Sequence, residues 1–153
     1  MHVTKKRRLE LLRSVWLFEA CSHRELSVLE SAATEMQLPT GKILTEQGAV
    51  GRHFVVIVEG EVEVTRDGTQ IALLGPGSFF GEMSLLDGEP RTATATTVEP
   101  TQVLMLTTAA FNQVLATMPS VDRKLLTVLA RRLRDIEARY VPANERGGRA
   151  EIA

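Results

Sequence analysis

The sequence predicts a mainly β domain with flanking helices: an eight-stranded jelly-roll barrel (a double-stranded β-helix), with N-terminal helices before it and C-terminal lid helices after it. Three observations predict this. Apolar residues recur at helical spacing near both ends of the chain, they alternate in short runs through its middle, and glycines punctuate that middle. With 153 residues the chain fits one domain, long enough to bury about two-thirds of its unfolded surface.

Residues 1–34 form the N-terminal helical segment. Leu9 and Leu12, then Leu26, Leu29 and Ala33, fall on helical faces. Ser22 can cap the second helix, and Glu25 three residues later completes a capping box. Between the two helices, Val15-Trp16-Leu17-Phe18 is an apolar knot, read as a short turn that docks against a later part of the chain.

Residues 35–108 carry the β-roll. Phe54-Val55-Val56-Ile57-Val58, Val62 with Val64, residues 71–74 and residues 103–106 are short apolar runs. Around and between them stand Gly48, Gly51, Gly60, Gly68, Gly75, Gly77, Gly81 and Gly88. Asp67-Gly68 between two such runs is a two-residue hairpin signal. Strands this short and numerous fit a jelly roll or small barrel, in which closing the sheet removes exposed edges.

Residues 109–140 return to helical spacing. Thr107 or Thr108 can cap a helix through Phe111, Val114 and Leu115, and Met118-Pro119 ends it, because proline disfavours a helical residue before it. A longer helix follows from about residue 120 to residue 140. Val121, Leu125, Leu129, Leu133, Ile136 and Tyr140 make one narrow stripe opposite Arg123, Lys124, Arg131, Arg134 and Asp135. Residues 141–153, polar and glycine-containing, read as a flexible tail.

Composition excludes several classes. Eighteen Lys and Arg against 19 Asp and Glu leave a net charge of −1, so no global basic field favours nucleic acid or membrane. Basic residues at 5–8 precede an amphipathic stretch broken by Glu10 and Arg13, unlike a signal peptide, and the apolar runs fall far short of the roughly 20 residues that span a bilayer. The single Cys21 can form no internal disulfide and supply no structural metal cluster; as a small hydrophobe at a helix start it fits a reducing cytosol. His2, His23 and His53 are scattered, which disfavours a metal-dependent cupin-like enzyme.

Residues 77–93 differ from their surroundings. A strand enters at Phe79-Phe80, Gly81 permits a tight turn, and residues 82–86 are long enough for one helical turn, whose free N–H groups would form an anion cradle. Arg91 offers a planar fork of donors matched to phosphate oxygens, and Thr92 adds a hydroxyl beside it. Glu82 would repel an anion, so its expected task is to accept hydrogen bonds from neutral hydroxyls of the same ligand, such as a ribose.

Phe80-Gly81-Glu82-Met83-Ser84-Leu85-Leu86, followed by Pro90-Arg91-Thr92-Ala93-Thr94, resembles the signature of the cyclic nucleotide-binding domain family. The likeness runs from about residue 17 to residue 136 and includes Gly41-Lys42-Ile43-Leu44, Gln47-Gly48 and Glu59-Gly60-Glu61-Val62. The resemblance implies a phosphate-binding cassette at 77–93 formed by Phe80, Gly81, Glu82, Met83, Ser84, Arg91, Thr92 and Ala93. It implies that Glu82 holds the ribose 2′-hydroxyl, Arg91 the cyclic phosphate, and the amides near Ser84 and Ala93 its other oxygens. Val62 and Val64 would line the base pocket. Leu85 would link the cassette to the lid, where Leu125, Leu129, Arg132 and Leu133 are candidates to cover the base. Thr92 after the arginine is compatible with cAMP and with cGMP, and cAMP is the expected ligand.

The chemistry implied is sensing without catalysis, cofactor or metal. Ligand binding would shift the C-terminal helices over the pocket. The other classes considered are a truncated or stand-alone relative of a catabolite-activator-type transcription regulator, the regulatory domain of a larger protein, and an interaction module with a vestigial pocket. A helix-turn-helix after residue 140 would need more chain than the 13 residues present there. Arg7-Arg8-Leu9-Glu10 lacks the small residue of a kinase-inhibitor segment. The expected partners are a cyclic nucleotide and an unidentified protein effector, with the chain a monomer or a homodimer through its last helix.

Overall fold

The computed structural model describes residues 4–81 and 88–140. The first helix, α1 (Lys5–Ser14), starts at Thr4, whose hydroxyl accepts from the Arg7 amide. A 3-10 turn at Trp16–Phe18 leads to α2 (His23–Ala32). The Ser22–Glu25 capping box forms reciprocally, with the Glu25 amide 3.1 Å from Ser22 Oγ and the Ser22 amide 2.8 Å from Glu25 Oε1. Arg8 ties α1 to α2 through Glu30 at 2.6 Å and reaches Glu35 at the start of the β region.

Eight strands follow among the described residues: β1 (Thr34–Leu38), β2 (Ile43–Thr45), β3 (His53–Glu59), β4 (Val62–Arg66), β5 (Thr69–Leu74), β6 (Phe79–Phe80), β7 (Thr94–Thr97) and β8 (Thr101–Thr107). They pair in two four-stranded antiparallel sheets, β1-β8-β3-β6 and β2-β7-β4-β5. The jelly-roll expectation holds, but the sheets do not close into a barrel. Two of the four edges, β2 and β6, are only three and two residues long, and such short edges expose little backbone for unwanted pairing. The β4–β5 hairpin turns at Asp67 (φ 52) and Gly68 (φ 78), the double positive φ that a two-residue turn requires.

Side-chain alternation divides the core in two. Phe54, Val56 and Val58 of β3, with Leu104 and Leu106 of β8, face the helices. Their neighbours Val55, Ile57 and Val103, with Leu38 of β1, face the second sheet, where Val62 and Ala95 meet them. Phe54 is the hub on the helix side. Its ring stacks on Phe111 at 4.9 Å and meets Phe79 at 5.6 Å and Phe18 at 6.3 Å.

Two more helices follow among the described residues, α3 (Thr108–Thr117), capped by the Thr107 hydroxyl, and α4 (Pro119–Tyr140). Here the single expected stripe divides. Val121 and Leu125 are buried in the helix-side core, whereas Leu133 and Ile136 are exposed, as is Leu126 beside the stripe. The docked part of α4 rests on the 3-10 turn: Lys124 Nζ donates to the Trp16 carbonyl and to Glu19 Oε1, both at 2.9 Å. Lys124 and Arg131 also lie over the Trp16 ring, 4.9 and 5.7 Å from its centroid. The side chains of Arg132, Arg139 and Tyr140, and the expected tail at 141–153, lie outside the described residues.

Candidate functional site

Arg91 anchors the site. It follows Pro90, which forms an isolated bridge to Val50. Its main chain is held on both sides: the Arg91 amide donates to the Ala49 carbonyl at 2.7 Å, and the Arg91 carbonyl accepts from the Gly48 amide at 2.8 Å. The arginine is only 8% exposed, and Nη2 donates to the His53 carbonyl at 2.6 Å.

Two glycines make room for this guanidinium. A Cβ on Gly51 would overlap Arg91 Nε and Cζ, and one on Gly81 would stand 2.6 Å from both Arg91 Nη1 and the His53 carbonyl. Gly81 also has φ +99, a conformation that only glycine adopts easily. The sequence therefore supplies a slot in the backbone the width of a planar cation.

Beside that slot is a cleft of about 400 Å³, within the size range of small-ligand sites. β2 and residues 49–53 form one part of its wall, and Val55, Phe80 and Arg91 another. Phe80 reaches it because β6 pairs with β3, Phe80 opposite Val55, which turns Phe80 inward and Phe79 toward the helices.

The structure brings together Phe80, Gly81 and Arg91 of the expected site residues. Thr92 is exposed and Ala93 half-buried, immediately beyond Arg91. Glu82, Met83, Ser84 and Leu85 lie outside the described residues. Val62, expected at the base pocket, is fully buried in the inter-sheet core; Val64 is partly buried two residues on, and neither lines the cleft. Leu125, Leu129 and Leu133 do not line it either. Leu125 is core, Leu129 half-buried and Leu133 exposed.

Several participants escaped sequence reasoning. Gly51 and the His53 carbonyl form the seat of Arg91, although a carbonyl acceptor leaves no trace in residue identity. Gly51 did stand among the punctuating glycines, and that was the available signal. Among the described residues no group of His, Cys, Asp and Glu could hold a metal ion, and no helix is long and apolar enough to cross a membrane. Cys21 is buried, and that burial, with Glu25 nearby, pushes its thiol pKa up and away from the reactive thiolate.

Known proteins resemble this chain in sequence and in fold. The family model described as cyclic nucleotide-binding domain matches residues 35–118. A CRP-like cAMP-activated global transcriptional regulator of Mycobacterium tuberculosis is 30% identical over 130 residues, covering 82% of this chain and 58% of the relative. A cyclic AMP receptor protein of Thermus thermophilus is 36% identical over 126 residues, with 79% and 58% covered. The solved structure of the Thermus thermophilus catabolite activator protein superposes with a TM-score of 0.75 at 35% identity, over 80% of this chain and 60% of that one. The chain thus spans somewhat over half the length of these relatives.

Proposed function

Because this chain belongs to the cyclic nucleotide-binding domain family, we propose that it is a non-catalytic receptor for a cyclic nucleotide, cAMP ahead of cGMP, acting as a regulatory module. The observation that carries the reading is the seat of Arg91. Backbone bonds and two glycines fix a buried cation at the wall of a ligand-sized cleft. A donor fork fixed in this way loses little freedom on meeting a phosphate diester. Glu82 would take the ribose 2′-hydroxyl, the Ser84 and Ala93 amides the remaining phosphate oxygens, and Thr92 the guanine amino group when the ligand is cGMP. Met83 belongs to the same cassette, and Val64 to the edge of the base pocket.

The signalling step is a displacement of α4. As a lid it must leave its rest on the 3-10 turn, since none of Leu125, Leu129 and Leu133 reaches the cleft. Leu129 and Leu133 are the better placed to cover a base, with Arg132 between them and Leu85 as the link from the cassette. Ligand can drive that change only through differential affinity for the two arrangements.

The same helix supports a homodimer. Leu126, Leu129, Leu133 and Ile136 are spaced 3, 4 and 3, a heptad seam, and the first, third and fourth are well exposed. The effector is a protein, reached in the cytosol, and the module could equally serve as the regulatory part of a longer chain. Light scattering of the purified chain should give twice the monomer mass, and a monomer with and without nucleotide removes the dimer reading.

Calorimetric titration with cAMP, cGMP and 5′-AMP tests the function. Both cyclic nucleotides should bind, and 5′-AMP at least about tenfold more weakly, the worth of one charge-assisted hydrogen bond. Equal binding of all three, or none, contradicts the assignment.

A further inference from the structure

We propose that Arg66, at the tip of the β4–β5 hairpin, is a positioning residue for the phosphate end of the site: it holds the Thr92–Ala93 peptide so that the Ala93 amide is aimed at the ligand. The inference rests on the cyclic nucleotide reading and adds a residue that touches no ligand.

Segment 90–94 is gripped from two sides. Residues 48–50 hold Pro90 and Arg91 through the main chain. From the hairpin side, Arg66 Nε donates to the Thr92 carbonyl at 3.0 Å. In a planar trans peptide the C=O and the following N–H point in opposite directions. Drawing the Thr92 oxygen toward Arg66 therefore turns the Ala93 N–H away from the hairpin tip. A cation on that carbonyl also polarises the peptide and strengthens the N–H as a donor.

The hairpin tip is itself fixed. The Asp67 amide donates to Gln47 Oε1 and Gln47 Nε2 donates to Asp67 Oδ1, each at 2.9 Å. The Gln47 amide in turn donates to Thr94 Oγ1 at 2.9 Å. Residues 47–50, 66–68 and 90–94 thus close a ring of polar contacts around the base of Arg91. In the β4–β5 pairing the extra residue is Ile71, on β5, and β4 keeps an unbroken register with β7 as far as Thr65, which brings Arg66 beside segment 92–93. Arg66, Asp67 and Gln47 are all exposed. They pack no core, so removing their side chains should spare the fold.

Calorimetry on the full chain tests this, using cAMP and its two phosphorothioate diastereomers with wild type, Arg66→Met and Arg66→Lys, beside thermal unfolding without nucleotide. Arg66→Met should weaken cAMP about tenfold with an unchanged unfolding midpoint, and Arg66→Lys should restore most of the loss. One diastereomer, with the weaker acceptor sulfur facing the Ala93 amide, should show little difference between wild type and Arg66→Met. Wild-type affinity in Arg66→Met, or an equal loss for cAMP and both diastereomers, overturns the positioning role. If the wild-type chain binds no cyclic nucleotide, the reading of the site fails and this inference falls with it.

Discussion

The two sheets carry different residue patterns and do different work. In the sheet containing β3 and β8, five consecutive residues of β3 are buried, and all but one of the first six of β8. Helices cover one face and the second sheet covers the other. In the sheet containing β4 and β5, only the inner face is covered, and Ile43 and Leu73 stand about half exposed on the outer one. An antiparallel sheet covered on both faces reads as a continuous apolar run, and one wet on one face reads as alternation. The first sheet is the scaffold. The second is the side on which the Arg91 loop and the hairpin tip can be arranged for a ligand without disturbing a core.

That contrast can be broken in order of expected effect. Phe54→Ala removes the ring that joins Phe18, Phe79 and Phe111 and should cost about 3–5 kcal/mol in chemical denaturation. A cost below about 1 kcal/mol would mean that the helix-side core is not the scaffold. Gly51→Ala drives a methyl into the Arg91 guanidinium and should weaken cyclic nucleotide binding by about 2–3 kcal/mol. Its stability, read by thermal unfolding, should change far less; the reverse pattern would make Gly51 a scaffold residue.

Lys124→Met removes two hydrogen bonds and a cation over Trp16, and should cost about 1 kcal/mol. Trp16 is the only tryptophan, so its fluorescence reports the docking of α4 directly. Cyclic nucleotide should shift the wild-type emission and shift it less in the variant; an emission blind to ligand would leave α4 in place. At the small end, Leu73→Ser on the wet outer face should stay within about 0.5 kcal/mol of wild type. A larger loss would show that this face is covered.

Much of this was legible in the sequence. The Ser22–Glu25 box, the Asp67-Gly68 turn and the two flavours of apolar run are local signals, and each formed where its chemistry placed it. Arg91 stood out in the sequence by its donor fork and its glycine-rich setting, and the structure seats it at the wall of the cleft. What surrounds it was not: Gly51 and the His53 carbonyl, which meet Arg91, and Arg66, which meets the next residue, lie between 25 and 40 residues away along the chain and are brought in only by the fold. Val62 shows the opposite failure. Alternation placed it correctly on an inner face, but an inner face includes both core and pocket, and Val62 lies in the core. On α4 the helical period located the apolar positions without revealing that the docked contact with the 3-10 turn leaves Leu133 and Ile136 uncovered.

The most direct test of the central claim is the affinity of the Arg91→Gln chain for cAMP, measured by calorimetry beside its unfolding midpoint without nucleotide. Glutamine keeps a hydrogen-bond donor for the His53 carbonyl and removes the charge. Affinity should fall by at least about 100-fold, as expected when a buried phosphate loses its charged partner, while the midpoint moves by only a few degrees. Undiminished cAMP affinity in Arg91→Gln would contradict the account.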